Sequence, residues 1–438
     1  MTNLPSVTLI VLNWNAGDFL PACLSSLLKL DYPNYDVVVV DNGSTDGSVA
    51  AVEAQFPQVR LCCNERNRGF AAGNNVGLRQ ADSDFSALVN PDVIVTEGWL
   101  RQLIAPLLED ETIGVAGCKL YYPDGKLLQH AGGYLTEPQA FPGHFGLGEV
   151  DEGQYDELRD VDYVIGAAIA IRRRVLEEVG FLDEGYFLYY EEADLCARAR
   201  RAGYRVVYVP RATAVHHESA TLARESDFYW QQMFTSRWRF LLKHYLLGNV
   251  LQETIPAEKE WLAGLSPQHR RAAAHAYRTT FRQLDEILAA RERDGMTSTT
   301  AEETKAIAAE LQQLRQLAWQ PSPLGTGQLQ AGAVVQERPF RSHVLLFGPL
   351  IAWFRQTWNS ISTRWYVRPL LQQQNDFNQH LVQRLQEHTA RLTAQEQAQV
   401  ELIQDAAELT EQLKEMNRLL QSIDERLAHL EAARFGKG

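Results

Sequence analysis

In the run GFLDEGYFLYYEEADLCARARRAGYRVVYVPRATAVHH, three carboxylates, Glu191, Glu192 and Asp194, fall at the start of a helix-like stretch, and His216 closes a strand-like one. A further carboxylate, Asp92, leaves the apolar run LVNPDV just behind Asn90 and Pro91. One carboxylate and an amide make a poor metal cage, but a hard divalent cation that also holds two phosphates needs few protein ligands. Each residue has a plainer use as well. Asp92 can close an Asx turn, acids at a helix start are favoured by the dipole alone, and a lone histidine is more often structural. Three acids followed by a histidine, downstream of Asp92 and of an anion-type loop, point to a site.

That loop is NERNRGFAAGNNVG, Asn64 to Gly77, which spends four asparagines, two arginines and three glycines on fourteen residues. A buried core wants none of these residue types, so the stretch binds something or turns sharply. Gly69 and Gly73 permit close backbone approach, Arg66 and Arg68 can meet an anion, and the start of the following helix adds exposed N–H groups. The pattern is neither G-x-G-x-x-G nor Walker, which removes support for dinucleotide-binding and P-loop readings. Upstream, VVVVDNGSTDGS ends an apolar run with Asp41. Its carboxylate can accept hydrogen bonds from a base or ribose, or merely cap the turn that Gly43, Ser44 and Gly47 allow.

Positioning such groups takes a scaffold, and the chain supplies one. From Val7 to Val209 short β-branched runs alternate with helix-period segments: VTLIVLN, 17–30, DVVVVD, 47–55, VRLCC, 70–80, FSALVN, 97–108 and IGVAGC. This alternation predicts βαβ units and an α/β fold around a mostly parallel sheet. Ligands of such sheets bind beyond the carboxyl ends of the strands. Asn13, Asn15, Asp41, Asn42, Asn64 to Arg68, Asn90 and Asp92 all follow predicted strands and therefore share one rim.

The 438 residues are 45% hydrophobic, enough for at least one sizeable core. A net charge of −13 argues against a protein that coats nucleic acid. Five scattered cysteines without a C-x-x-C pair give neither a disulfide framework nor a thiolate zinc site, and fit a reducing cytosol. The opening MTNLPSVTLIVLNWN has no basic start and too short an apolar run to span a bilayer, so it reads as a strand.

Beyond a helix expected over 224–245, residues 256–317 read as further helices, which gives a catalytic-type domain at 1–245 and a helical extension at 246–319. A Pro- and Gly-rich linker covers 320–342. The segment 343–371 carries four tryptophans or tyrosines and three arginines but no acid, which predicts an interfacial amphipathic helix on an anionic membrane surface, or else a helix packed on the core. Within 372–438 a 3-4 spacing from Leu381 to Leu430 places Leu, Ile, Met or Ala at twelve of fifteen positions, with His388, Gln395 and Gln399 the exceptions. Such a seam predicts a coiled coil and a homo-oligomer, although a helix folded back on its own chain would carry the same pattern.

Read together, the strings VLNWN, VDNGSTDGS, NRGFAAGNNVG, NPDV, YYPDGKLLQHAGG, VIGAAIAIRR, GFLDEGYFLYYEEADLCAR and VPRATAVHH, in this order, resemble the inverting family 2 glycosyltransferases of the GT-A fold, especially the rhamnosyltransferase-like branch. The resemblance covers roughly residues 5–245. It implies a donor pocket in which Asp41 and Asn42 hold the nucleoside, the loop of Asn67, Arg68, Gly69, Gly73 and Asn74 approaches the donor, and Asn13, Asn15 and Asn90 line its rim. It implies a divalent metal, Mg2+ or Mn2+, on Asp92 and His216, with Asn-Pro-Asp in place of the commoner Asp-x-Asp. It also implies a general base at Glu192, where Glu191-Glu192 replaces the usual Glu-Asp pair; Glu191 and Asp194 are the alternatives.

The activity so implied is inverting transfer of a sugar, rhamnose favoured, from a nucleotide-diphosphate donor to a polysaccharide or lipid-linked acceptor at the cytoplasmic face of the cell membrane. The chemistry asks for this layout. Charge develops on the β-phosphate oxygen as the donor breaks, and a cation neutralises it. Competing readings are a nucleotidyltransferase of similar architecture and an inactive sugar-nucleotide-binding scaffold acting through its coiled coil.

Overall fold

A computed structural model describes residues 4–217 and 226–319. The linker, the 343–371 segment and the coiled-coil seam lie outside the described residues.

The first apolar runs form β1 (Val7–Asn13), β2 (Tyr35–Asp41), β3 (Arg60–Cys63) and β4 (Phe85–Val89), connected through helices α1 (Leu20–Leu27), α2 (Ser48–Gln55) and α3 (Gly69–Gln80). They pair in parallel in the order β3-β2-β1-β4. Register does useful positional work here: β1 against β2 sets Asn13 opposite Asp41, so both polar ends reach the same rim. Every residue of β1 is buried, as expected of a parallel strand covered on both faces.

The chain continues through β5 (Val93–Val95), α4 (Trp99–Glu109) and β6 (Ile113–Tyr121). An excursion follows, made of β7 (Leu128–His130), a hairpin of β8 (Gly133–Thr136) and β9 (Phe141–His144), and the short β10 (Arg159–Asp160). It returns as β11 (Ala168–Arg172), which enters the sheet antiparallel between β4 and β6. Alternation along the sequence does not foretell that insertion, because both partners of β11 precede the excursion and are already separated from each other by β5 and α4. After α5 (Arg173–Val179) and α6 (Glu191–Arg201), the long β12 (Arg205–His216) runs parallel to β6 and then pairs antiparallel with β5. In that last register His216 faces Val93, which delivers the imidazole to the residue after Asp92.

Alternate residues of β1 feed two cores, Ile10 and Leu12 on one face and Val7, Leu9 and Val11 on the other. The first core also takes in Phe234, Trp238, Leu241 and Leu242 of α7 (Asp227–His244). It runs on into α8 (Leu247–Asn249), which passes through a π-turn into α9 (Ile255–Ala263), then α10 (Pro267–Arg282), α11 (Leu284–Arg293) and α12 (Ala301–Trp319). Residues 1–320 accordingly make one compact unit, in which the helical extension and the sheet share apolar side chains. Among the described residues no helix is long and apolar enough to cross a membrane.

Candidate functional site

The strand ends at the rim are bound into a polar network. Asn13 donates through Nδ2 to Asp41 Oδ1 at 2.8 Å, Ser44 Oγ at 3.1 Å and Ser48 Oγ at 2.7 Å. Asp41 Oδ2 accepts the backbone N–H groups of Gly43 and Ser44. Asn15, at φ 51°, accepts from the Thr45 N–H through its side chain. Asn13, Asn15 and Asp41 thus hold the 43–48 turn and stand behind the cavity wall described below; the turn-capping use of Asp41 is the one the geometry displays.

One layer forward, Asn42 donates to Asn67 Oδ1 at 2.9 Å and to the Gly69 carbonyl at 3.1 Å, while its Oδ1 accepts from Asn64 and from the Arg68 N–H. Asn67 in turn accepts the Gly69 N–H at 2.8 Å. Gly69 needs to be glycine: its φ is +83°, and a Cβ there would lie 2.5 Å from the Phe187 carbonyl oxygen. Gly73 is equally tight, since a Cβ would meet Leu12 at 2.6 Å. Asn74 is buried and donates to the Phe70 carbonyl, and Arg68 reaches outward to Glu184 at 3.6 Å; neither lines the cavity.

That cavity has a volume of about 580 Å3 and opens at the carboxyl ends of β1, β2 and β4. Asn42, Asn67, Gly69, Asn90, Asp92, His216, Glu191 and Glu192 all line it. Residues far apart in sequence have therefore come to one wall. His216 Nε2 lies 3.3 Å from Asp92 Oδ1, and His216 Nδ1 is 2.7 Å from Gln129 Oε1. All three side chains are buried. Among the described residues no group of three or more His, Cys, Asp and Glu gathers to hold a metal. The Asp92–His216 pair nonetheless fits a cation that takes its remaining ligands from a diphosphate: a carboxylate oxygen and an imidazole nitrogen face each other close enough for one ion to bridge them.

Glu191 and Glu192 start α6 directly after Tyr189 and Tyr190, both in the left-handed region at φ 68° and 67°. Such backbone costs about 1–3 kcal/mol per residue and persists where its surroundings demand it. Here it turns both glutamates to the cavity. Each has an Oε2 that is buried and finds no hydrogen-bond partner among the described residues. Burial pushes both carboxyls upward, and the Glu192 charge pushes Glu191 further. Backbone N–H groups, including that of Gly166, pull Glu192 partly back.

Asp194 lies elsewhere. It is fully buried and bonded to Arg198 at 2.8 Å, Lys243 at 2.6 Å and His244 at 2.8 Å, away from the cavity. Burial would raise its carboxyl, but the charges of Arg198 and Lys243 hold it well below the usual carboxylate range. A carboxylate so occupied, and off the cavity, is a structural anchor of α6 on α7 and not a base.

Several wall residues escape sequence reasoning: Trp14, His144, Tyr163, Tyr189, Tyr229 and Met233. Tyr229 and Tyr189 stack edge to face with centroids 5.2 Å apart, joining α7 to the loop before α6. Aromatic residues on predicted helices look like core, and nothing in spacing distinguishes the ones that face a cavity.

Comparison with known proteins gives this region a family match. Residues 8–180 match the model of Glycosyl transferase family 2. Over these residues the chain is similar to the family 2 glycosyltransferases. The chain is 31% identical over 243 residues to the uncharacterized protein y4gI of Sinorhizobium fredii, a match that covers 51% of this chain and 26% of that protein. It is 27% identical over 256 residues to the N-acetylglucosaminyl-diphospho-decaprenol L-rhamnosyltransferase of Mycobacterium tuberculosis, over 53% of this chain and 82% of the relative. The chain thus spans about a quarter of the length of the first and most of the second. Among solved structures, the mannosyltransferase PcManGT from Pyrobaculum calidifontis in complex with GDP-Man and Mn2+ aligns with a TM-score of 0.40 and 19% identity over 72% of this chain and 86% of that chain.

Proposed function

We propose that this family 2 glycosyltransferase domain moves a sugar, rhamnose in first place, from a nucleoside diphosphate to a hydroxyl of a glycan or lipid-linked acceptor, with inversion at the sugar carbon and a divalent cation bound. The observation that carries the reading is the convergence of Asp92, His216, Asn42, Asn67, Glu191 and Glu192 on one cavity. The sugar named by the mycobacterial relative supports rhamnose.

Asp92 and His216 would hold Mg2+ or Mn2+, which when bound neutralises the charge that develops on the departing diphosphate. Asn42 and Asn67, cross-linked through their amides, give the nucleotide side of the cavity a rigid polar edge. Glu192 takes the proton of the attacking hydroxyl. It is the better placed of the pair, because its backbone donors favour the ionised form while Glu191 lies against its charge. A base raised by burial is ionised only as the medium becomes less acidic, so turnover should climb with pH above the ordinary carboxylate range. Enclosure by Tyr163, Tyr189 and Tyr190 keeps bulk water from competing with the acceptor. The 343–371 segment and the seam within 372–438 would bring the enzyme to a membrane surface and to its own copies, a reading that rests on their sequence.

The test is a pair of variants with a nucleotide-sugar donor. Glu192→Gln should keep donor affinity and lose about 10²–10⁴-fold in turnover. Asp92→Ala should lose metal-dependent donor binding. Normal turnover in the first variant moves the base to Glu191, and unchanged binding in the second removes the cation from this site. A chain that binds donor yet never releases nucleoside diphosphate is a sensor and not a transferase.

A further inference from the structure

We infer that Gln129 is the positioning residue of the cation pair: its side-chain oxygen accepts a hydrogen bond from His216 Nδ1–H and so turns Nε2 of that ring toward Asp92. The inference rests on the transferase reading for its purpose, though not for its geometry.

Gln129 lies in LLQHAGG, a stretch to which no chemistry has been assigned above, and it is 2% exposed. It is not on the cavity wall, so it acts only through the ring it touches. An amide oxygen has lone pairs and no proton. The 2.7 Å contact between Gln129 Oε1 and His216 Nδ1 therefore requires the proton on Nδ1. With Nδ1–H held by Gln129, Nε2 is the nitrogen that faces Asp92 Oδ1, 3.3 Å away, and it is the one whose lone pair a cation entering there would use. In the other tautomer an N–H would point at the carboxylate and close the site to a cation.

The support beneath Gln129 is stiff. β7 pairs with β6 at Leu120–His130 and Tyr121–Leu128. The next residue, His130, is fully buried and pinned on both sides: its Nε2 accepts the Ile165 N–H at 3.4 Å, and its Nδ1 lies 2.8 Å from His144 Nδ1. Desolvation, with the nearby His144 and His216, keeps the His130 ring neutral, so its Nδ1 carries the proton given to His144. A side chain hung on such a strand end has little freedom to release His216.

The chemical character of the support matters too. A carboxylate in the place of Gln129 would add negative charge and strengthen the ring as a ligand; an amide orients it without doing so. The cation should consequently bind this chain weakly alone and well together with a nucleoside diphosphate.

The experiment uses the full chain, Mn2+ followed by electron paramagnetic resonance with and without deoxythymidine diphosphate, and 15N NMR of the histidine rings. Gln129→Glu keeps an acceptor for Nδ1 and should hold Mn2+ at least as well as the unchanged chain. Gln129→Met removes it and should weaken Mn2+ binding roughly 10–100-fold in the presence of the diphosphate, with the His216 tautomer lost in the NMR spectrum. Equal Mn2+ affinity of the Met variant and the unchanged chain overturns the inference, as does an Nε2-protonated neutral His216 in the unchanged chain. If the unchanged chain shows the Nδ1 tautomer, the Met variant loses it, and neither binds Mn2+, the orientation by Gln129 stands and the metal reading of the site fails. Rescue by Gln129→Glu separates loss of orientation from a general loss of fold.

Discussion

Glu191 is buried beside Glu192 with an oxygen that finds no partner among the described residues, which makes it the least comfortable charge in the cavity. Its carboxyl is raised first by burial and then by the Glu192 charge. A group whose folded value is raised adds stability fully below its unfolded value, about 4.3 for glutamate, and that contribution is lost as pH rises through the folded value. Glu191→Gln should therefore stabilise the protein at pH 8 and change little at pH 4, with about 2–4 °C in Tm for each kcal/mol relieved. Thermal unfolding at the two pH values checks this; a gain of equal size at both would mean that ionisation is not the cause. The family resemblance puts the base at Glu192 and leaves Glu191 and Asp194 as alternatives. What separated Asp194 from the others was its cationic company, Arg198, Lys243 and His244, two of which come from α7.

Elements carry the next level of the site, and the junction of α3 with the 187–190 loop is a tight one. Gly69 lets the Phe70 N–H donate to the Phe187 carbonyl at 2.7 Å while the chain turns at positive φ. Gly69→Ala should cost about 1–3 kcal/mol from backbone strain alone, with the clash at Phe187 in addition. Gly98, where the φ is −84° and an added Cβ would meet nothing within 4 Å, is the control, and Gly98→Ala should be near neutral. Urea midpoints of the two variants decide it: equal midpoints would show that the junction is slack. The sequence named this loop as a place of close approach because glycines at 69 and 73 have few other uses. It did not name what approaches, since Phe187 is over a hundred residues away and only the hydrogen bonding of residues 182–187 to α3 brings it there.

At the scale of the whole molecule, the helical extension is tied to the cavity through a buried charge. Glu258 of α9 pairs with Arg237 of α7, accepts from Tyr277 at 2.7 Å, and takes the Gln139 amide at 2.8 Å from the loop between β8 and β9. β9 ends in His144 on the cavity wall. Removing one partner of such a pair leaves an uncompensated buried charge, so Glu258→Ala should destabilise by about 3–5 kcal/mol. Equilibrium unfolding measures it, and a loss under about 1 kcal/mol, the range of a surface pair, would mean that solvent reaches Arg237.

What the sequence determined by itself was whatever follows from local periodicity and residue type: buried parallel strands, the helices between them, the polar rim at their ends, and the order of motifs that marks the family. Local backbone preference and burial act within a few residues, so they leave their mark in short strings. Only the tertiary structure decided which rim residues face the cavity and which stand behind it, that β11 runs antiparallel into the middle of the sheet, and that Gln129 stands behind His216. Those facts depend on pairing between segments tens to more than a hundred residues apart, where the energy lies in contacts that no local pattern encodes.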